Sequence, residues 1–198
     1  MSRRLLVATT NPGKQREFRR LLAPLGAELV MPAEMGLDLD VEEPYDTYAE
    51  NAIAKAAAYL AASGIVTIAD DSGIEVAALD WAPGPRSARF GGDDVTDRAA
   101  HLLAAVGDAP DRRARMVCIV AVALPGDPPE IATFEGVMEG SLALFPRGTG
   151  GFGYDPIFLL AAGVTTAELP EAQKDAISHR GRAVEAAMPY LFEVLAHS

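Results

Sequence analysis

The chain has 198 residues, of which 49% are hydrophobic and 23% charged, an ordinary composition for one larger globular domain that folds throughout. Its 28 acidic and 17 basic residues give a formal net charge of −11, which provides no general attraction to nucleic acid polymers or anionic membranes. The single cysteine, Cys118, permits no internal disulfide and lies in an apolar run, where a buried, inert thiol is expected. No apolar run approaches the roughly 18 residues of a membrane span, so we expect a cytoplasmic protein.

The first predicted element is a strand that leads through a polar loop into a helix. Leu5 to Thr9 predicts the strand and Thr10 to Lys14 the loop, and apolar residues at helical spacing then predict a helix that reaches Gly26. Amide hydrogens and the helix dipole favour a phosphate at such a loop, and Lys14 adds a full positive charge. A Walker A loop is excluded, because Gln15 stands where Ser or Thr would bind magnesium. An ordinary capped helix with a surface lysine remains the open alternative.

An acid-rich segment and a long helix follow a second predicted strand at residues 27–31. The segment from Met35 to Tyr45 contains four acidic residues, among them Glu43. A capping-box pattern at Thr47 then begins an alanine-rich helix that reaches Gly64. Three polar residues fall on one side of this helix: Glu50, Asn51 and Lys55. They form either a solvated surface or one wall of an active site.

The stretch from Ile65 to Gly73 combines a buried strand with two adjacent carboxylates. Its β-branched, continuously apolar start predicts a strand covered on both faces, and we expect the chain to emerge from the sheet at Asp70. Successive side chains on a strand point to opposite faces, so Asp70 and Asp71 should do different jobs. A divalent cation would relieve their mutual repulsion. A hydrogen-bonded turn without chemistry is the alternative.

A second lobe is predicted from a hairpin and a glycine-rich loop. The pattern predicts two strands, Arg115 to Leu124 and Glu130 to Val137, joined by a turn that contains three prolines. Residues 148–153 match the G-x-G-x-x-G spacing, but the chain then enters a turn and a strand instead of a helix, which argues against dinucleotide binding. The glycines instead favour close approach to a flat ligand that an aromatic ring could stack on, or simply a flexible loop.

The last predicted helix begins after Ser178 and carries two basic residues in its first turn. An apolar stripe from Ala183 to Leu195 defines the helix, and Pro189 predicts a kink or a break in it. His179 and Arg180 lie at the helix N-terminus, where cations oppose the helix dipole. This unfavourable placement hints at a ligand.

Taken together, the motifs resemble those of the inosine triphosphate pyrophosphatase (ITPase) family. The matches occur in family order from residue 7 to residue 183, and each is weak by itself whereas their ordered combination is specific. The matching stretches are Ala8 to Lys14 with Glu17, Glu50 and Asn51 with Lys55, Ala69 to Gly73, Ala82 to Gly84, Ser87 to Arg89, Gly148 to Phe158, and Ile177 to Gly181.

The resemblance implies a fold and an activity. The fold would be a single ITPase-like α/β domain over residues 1–198, with an elongated mixed sheet, flanking helices in three α/β/α layers, and two lobes around a central cleft. The activity would be hydrolysis of ITP, dITP and XTP to the monophosphate and pyrophosphate, with Mg²⁺ as cofactor. The expected partners are small-molecule purine nucleoside triphosphates and a second copy of the chain in a homodimer, with no nucleic acid and no membrane.

The resemblance also implies roles for individual residues. Asp71 would be the catalytic general base, and Glu43 and Asp71 would bind the metal, with Asp70 supporting the metal and Lys55 the phosphate. The expected substrate contacts are made by Thr9, Thr10, Asn11, Pro12, Gly13 and Lys14 at the triphosphate, by Ser72, and by Phe152, Gly153, Tyr154, Asp155, Lys174, His179 and Arg180 around the base.

Donor and acceptor chemistry then accounts for the choice of base. Lys174 and Arg180 offer only hydrogen-bond donors, which suit the 6-keto oxygen of hypoxanthine or xanthine and oppose the amino group of adenine. A Maf-type pyrophosphatase of other modified nucleotides and a catalytically silent nucleotide sensor are the alternatives. The Ser-His-Arg and Phe-Gly-Tyr-Asp elements argue against the first, and the retained carboxylates Glu43, Asp70 and Asp71 argue against the second.

Overall fold

A computed structural model describes residues 3–92 and 97–196 of the chain. Within these residues one sheet has six strands in the order β2-β1-β3-β4-β5-β6. The strands are β1 Arg4–Val7, β2 Glu28–Val30, β3 Thr67–Val76, β4 Arg113–Leu124, β5 Glu130–Leu142 and β6 Phe158–Leu159. The α-helices are α1 Pro12–Leu21, α2 Tyr48–Ser63, α3 Arg98–Val106, α4 Glu171–Ile177 and α5 His179–Ala196. Short 3₁₀ helices cover Ala23–Leu25, Pro32–Met35, Ala77–Leu79, Gly84–Arg89, Asp155–Ile157 and Thr166–Glu168.

Strand directions make the sheet mixed. β1 is parallel to both β2 and β3, with Leu6 opposite Val30 on one side and Thr67 on the other. β5 and β6 are antiparallel. β4 and β5 are neighbours joined by residues 125–129, in agreement with the predicted hairpin, although both strands are longer than the sequence indicated. These features confirm the predicted α/β class with a mixed sheet and flanking helices.

The chain divides into two compact units, each assembled from separate stretches of sequence. The described part of the first unit comprises residues 3–71, 118–136 and 180–196, and the second comprises 72–92, 97–117 and 137–179. The prediction that residues 1–198 form a single domain, and that a cleft separates two lobes, stays a prediction.

In the first unit, both faces of the sheet are covered by apolar side chains. Leu5 and Val7 of β1 join a cluster with Phe18 of α1 and Leu191 of α5, whereas Leu6 joins a second cluster with the alanines of α2. This alternation follows from the pleat of a strand, because successive side chains point to opposite faces. The small side chains of α2 let that helix pack closely, so the first unit has helix, sheet and helix layers.

The second unit has its own core beneath α3. Leu102 and Val106 of α3 pack against Met116 of β4, Leu142 of β5 and Phe158 of β6. All are apolar and buried, so this unit also satisfies the requirement that a sheet face be covered. No helix among the described residues combines the length and the hydropathy needed to cross a membrane.

One expectation about a chain break was wrong, and one of the two alternatives for Pro189 is excluded. β3 does not end at Asp70 but continues through both carboxylates to Val76, where a 3₁₀ helix follows. The strand can continue because both acidic side chains find buried partners. Pro189 does not break α5, which runs from His179 to Ala196. Burial of the apolar residues on both sides of Pro189 offsets the backbone hydrogen bond that proline cannot donate.

Candidate active site

The loop before α1 is a tightly capped helix N-terminus. Asn11 Oδ1 accepts hydrogen bonds from the backbone amides of Gly13 at 2.8 Å and Lys14 at 3.1 Å. The Thr9 hydroxyl accepts from the Asn11 amide at 3.2 Å, and Gln15 Nε2 donates to the Thr9 carbonyl at 2.8 Å. The predicted cap is therefore confirmed. Because it engages two of the first-turn amides, the Lys14 ammonium becomes the strongest anion-binding group at this end of the helix.

Asp70 lies at the centre of a buried network of charges in the first unit. Its Oδ2 accepts from Arg180 Nη2 at 3.0 Å and Nε at 3.2 Å, lies 3.1 Å from Lys14 Nζ, and is 3.8 Å from Cys118 Sγ. Arg180 Nη1 donates to the carboxylate of Glu17. Burial alone would raise the pKa of Asp70, but Lys14 and Arg180 outweigh it and hold that pKa well below the ordinary range. Asp70 is therefore ionised and locked in place.

The same network holds the Arg180 side chain. The side chain is 2% exposed, and its Nε, Nη1 and Nη2 atoms all donate to Asp70 or Glu17. Arg180 belongs to the first unit, whereas Lys174 and His179 belong to the second. Two buried carboxylates thus hold Arg180, and its predicted contact with the base stays a prediction. They also pair Asp70 with Lys14 and Arg180, while the expected support of a metal by Asp70 stays a prediction.

Asp71 has a different environment from its neighbour. Asn51 Nδ2 donates to Asp71 Oδ2 at 3.0 Å and to the Tyr45 carbonyl at 3.2 Å, while Asn51 Oδ1 accepts from the Tyr45 amide at 3.1 Å. Burial raises the pKa of Asp71 to about 6, and the charge of Glu43 adds to this effect, although Asn51 and nearby lysines oppose it. Asp71 is thus a carboxylate poised to exchange a proton near neutral pH.

Asn51 and Glu17 are the residues that sequence reasoning undervalued. Both occur in the motifs that carried the family resemblance, yet neither received a role. Asn51 is fully buried and connects the acid-rich segment to Asp71. Glu17 is 3% exposed and holds Arg180. The available signal was a polar residue at an apolar position of each helix, which in a buried setting must be satisfied by a partner.

Lys55 brings a positive charge into the group of carboxylates. Its Nζ contacts the carboxylate of Glu43 and donates to the backbone carbonyl of Asp70 at 3.0 Å. Burial alone would lower the pKa of Lys55, but the charges of Asp70, Glu43 and Asp71 outweigh it and raise that pKa. On the polar face of α2, Asn51 and Lys55 thus contact the carboxylates, whereas Glu50 is exposed. That this face forms an active-site wall stays a prediction.

Glu43 and Asp71 are suitable ligands for Mg²⁺. This ion is usually bound through one or two carboxylates, with water and substrate phosphates completing its octahedral shell. The pKa of Asp71 rises partly because of the charge on Glu43, a repulsion that a divalent cation would relieve. Within residues 3–92 and 97–196 no larger group of three or more His, Cys, Asp or Glu side chains is arranged to hold a metal. The donor set therefore fits a metal shared with a phosphate ligand.

In the second unit, Asp155 organises the glycine-rich loop. Its Oδ2 accepts from the Phe152 amide at 2.7 Å and from Lys174 Nζ at 2.5 Å, and its Oδ1 accepts from the Thr166 hydroxyl at 2.8 Å. Lys174 Nζ lies 5.2 Å from the centroid of the Phe152 ring. The structure thus brings together three predicted base-contacting residues, with Asp155 holding Lys174 beside the aromatic ring.

The remaining predicted residues of this unit lie in the glycine-rich loop, in β3 and at the start of α5. The Tyr154 hydroxyl donates to the Ser87 carbonyl at 2.8 Å, and burial raises the pKa of Tyr154 to about 12, so this ring is anchored. Gly153 has φ +60° and open space where a side chain would begin. His179 is 8% exposed at the start of α5, and Ser72 is half-buried in β3. None of these positions tests a contact with a base.

Gly151 is sterically required beside Asp155. Its φ is +68°, and a Cβ atom there would lie 2.0 Å from Asp155 Oδ2. Gly163 has a comparable φ of +79° but nothing within 4 Å of the Cβ position. The two glycines therefore share backbone strain on substitution and differ only in the steric clash.

We expect Gly151→Ala to lower the free energy of unfolding by about 2 kcal/mol more than Gly163→Ala, because only the first displaces the Asp155 carboxylate. Urea unfolding of both variants measures this difference. Equal losses would mean that backbone strain alone accounts for Gly151.

We expect Asp71→Asn to stabilise the protein at about pH 8 in EDTA, by up to about 3 kcal/mol. The pKa of Asp71 is raised from 3.8 to about 6 in the folded protein, so the folded state binds this proton more tightly than the unfolded chain. The gain from Asn should therefore disappear as the pH falls through 6 to below 3.8. Urea unfolding at both ends of this range measures it.

The matched control is Asp111→Asn, because Arg113 lowers the pKa of that exposed carboxyl to about 2. This variant should gain no stability at about pH 8. Equal destabilisation by Asp71→Asn at high and low pH would contradict the raised pKa of Asp71.

Comparisons with known proteins agree with these features. The model of the Ham1 family matches residues 5–190. A dITP/XTP pyrophosphatase from Symbiobacterium thermophilum is 49% identical over 187 residues, covering 92% of this chain and 91% of the relative. One from Ralstonia nicotianae is 44% identical over 188 residues, covering 92% and 93%.

Solved structures agree as well. The Ham1 protein of Staphylococcus aureus superposes with a TM-score of 0.83 at 36% identity, covering 96% of this chain and 99% of the other. A HAM1 protein from Coxiella burnetii gives 0.84 at 38% identity, with all of both chains covered. Because the family match spans nearly the whole chain and the fold is shared along its full length, this chain belongs to the Ham1 family.

Proposed function

We propose that this chain hydrolyses dITP, ITP and XTP to the nucleoside monophosphate and pyrophosphate, and so removes non-standard purines from the nucleotide pool. The observation that carries the proposal is Asp71, a buried carboxylate with a pKa raised to about 6 beside Glu43. The names of the relatives, dITP/XTP pyrophosphatase, support the same reaction.

Asp71 is the proposed general base. A base works best when its pKa lies near the working pH, because it is then ionised and still takes up a proton readily. In the metal-free protein, a pKa of about 6 meets this condition. Asn51 Nδ2 fixes the orientation of the carboxylate through its 3.0 Å hydrogen bond to Oδ2. Asp71 then removes a proton from the water that attacks the α-phosphorus, and pyrophosphate leaves.

The first unit also supplies the groups for a triphosphate. Lys14 and the N-terminal turn of α1 attract the phosphates, and the ion pair with Asp70 at 3.1 Å holds the Lys14 ammonium in position. Glu43 and Asp71 would hold Mg²⁺, which neutralises polyphosphate charge when bound. Thr9, Thr10 and Gly13 lie in the same turn and complete the phosphate-binding loop.

The second unit supplies the groups for the base. Phe152 offers a ring face for stacking, and Lys174, held by Asp155, offers an ammonium donor to a 6-keto oxygen. Adenine presents an amino group at that position, so its donor would face another donor. In this view Asp155 acts through Lys174 instead of touching the base.

The other candidate functions are less well supported. The names of the relatives do not favour a Maf-type enzyme for other modified nucleotides. A silent nucleotide sensor would have little use for a base with a raised pKa next to a second carboxylate. We further propose that the enzyme acts as a homodimer in the cytoplasm, without nucleic acid or membrane partners.

We expect pyrophosphate release from ITP and XTP with Mg²⁺, none in EDTA, and little from dATP or GTP. Asp71→Asn should lower the rate at least about 100-fold, because it removes the base. Chromatography of the products from all four nucleotides measures both results. Release of orthophosphate would instead place the attack at the γ-phosphorus, and tight ITP binding without any release would favour the sensor.

We expect Lys174→Ala to lower the preference for ITP over ATP, measured as the ratio of kcat/KM values, by roughly 10-fold to 100-fold. The reason is the loss of the donor that favours a 6-keto oxygen. Arg113→Ala is the control, since Arg113 pairs with Asp111 at the surface of the same unit and should leave the ratio unchanged. An unchanged ratio in Lys174→Ala would mean that the base is recognised elsewhere.

A further inference from the structure

A lysine contacts the Glu43 carboxylate, which we propose as a metal ligand. The Lys55 ammonium contacts Glu43 Oε1, and both side chains are largely buried, with 15% and 25% exposure. The second resolved contact of Lys55 Nζ is the hydrogen bond of 3.0 Å to the Asp70 carbonyl. That carbonyl group is directly followed by Asp71 in the chain. Lys55 Nζ therefore contacts the backbone beside one candidate metal ligand, Asp71, and the carboxylate of the other, Glu43.

The segment that carries Glu43 has little regular structure of its own. Residues 37–45 are neither helix nor strand, and the chain is fixed at one end by the two hydrogen bonds between Asn51 and Tyr45. Lys55 lies one helical turn after Asn51 on α2 and is therefore attached to a rigid support. The position of the Glu43 carboxylate thus depends on a cation supplied by the helix.

A lysine ammonium and a divalent cation compete for one carboxylate oxygen, because their charges repel each other at contact distance. The Lys14 ammonium provides a useful contrast. It also lies beside an acidic group, with Nζ at 3.1 Å from Asp70 Oδ2, but its ion-pair partner is Asp70 and not Glu43. Charge alone therefore does not distinguish the two lysines, whereas their contacts do.

We propose that Lys55 is a positioning residue that keeps Glu43 in place as a built-in counter-ion and is displaced from it when a divalent cation binds. The inference rests on the proposed metal role of Glu43. It extends that role, because the Lys55 ammonium and the divalent metal ion would exchange at the Glu43 carboxylate. Metal affinity is then set by competition as well as by the ligands.

The test measures Mn²⁺ binding to the nucleotide-free protein by electron paramagnetic resonance of the unbound ion. We expect Lys55→Met to bind Mn²⁺ at least about tenfold more tightly than the parent, because the competitor is gone. Lys14→Met also removes a positive charge near Asp71 but no contact with Glu43, so we expect a clearly smaller gain than in Lys55→Met. Glu43→Gln should abolish the binding and thereby locate the ion.

Thermal unfolding in EDTA provides the second measurement. In EDTA, Lys55→Met should unfold at a lower temperature than the parent, because Glu43, Asp70 and Asp71 lose a shared cation. Added Mn²⁺ should then raise the unfolding temperature of Lys55→Met by more than it raises that of the parent. Lys55→Gln keeps a donor for the Asp70 carbonyl but not the charge, so it should also show tighter Mn²⁺ binding even if Lys55→Met folds poorly.

Unchanged or weaker Mn²⁺ binding in both Lys55 variants would overturn the exchange, as would an equal gain in Lys14→Met. Failure of parent and variants alike to bind Mn²⁺ would overturn it too. Pyrophosphate release from ITP by the parent protein, measured in the same samples, decides separately whether the proposed function stands.

Discussion

The ion pairs of Asp70 are the constraint on which the rest of the first unit depends. A carboxylate buried in the middle of a sheet is costly unless cations and hydrogen bonds surround it, and here Arg180 and Lys14 do so from α5 and α1. Both helices must therefore meet β3 at one place. Glu17 then balances the remaining charge of Arg180. Truncating any one member would leave a buried charge without compensation.

This arrangement separates two adjacent and chemically identical side chains. The pKa of Asp70 is held low by Lys14 and Arg180, whereas the pKa of Asp71 is raised to about 6 by burial and by Glu43. A permanently charged group and a proton acceptor thus occur side by side because a strand directs successive residues to opposite faces. The second unit uses a related solution, in which the buried carboxylate of Asp155 fixes a lysine and a glycine-rich backbone together.

Periodicity and local chemistry were sufficient to predict the strands, the capped helix α1, the hairpin and the turn after the glycine run. They failed where buried polar partners decide the outcome. β3 continues through Asp70 and Asp71 because residues distant in sequence satisfy them, and composition alone reads the same stretch as a turn. Likewise, the carboxylate partners of Arg180 come from α1 and β3, and its position in a helical first turn does not indicate them.

The amide of Asn51 has a consequence for how this sequence can vary over evolution. Its oxygen accepts from the backbone of Tyr45 while its nitrogen donates to the same residue and to Asp71. No other side chain of that length offers both an acceptor and two donors, since aspartate lacks the donors and leucine lacks both. The spacing between Tyr45 and Asn51 is equally fixed, because an insertion or deletion there would shift Glu43 away from Asp71. Variation in chain length should therefore collect in the acidic stretch before Glu43, while the seven residues from 45 to 51 keep their number.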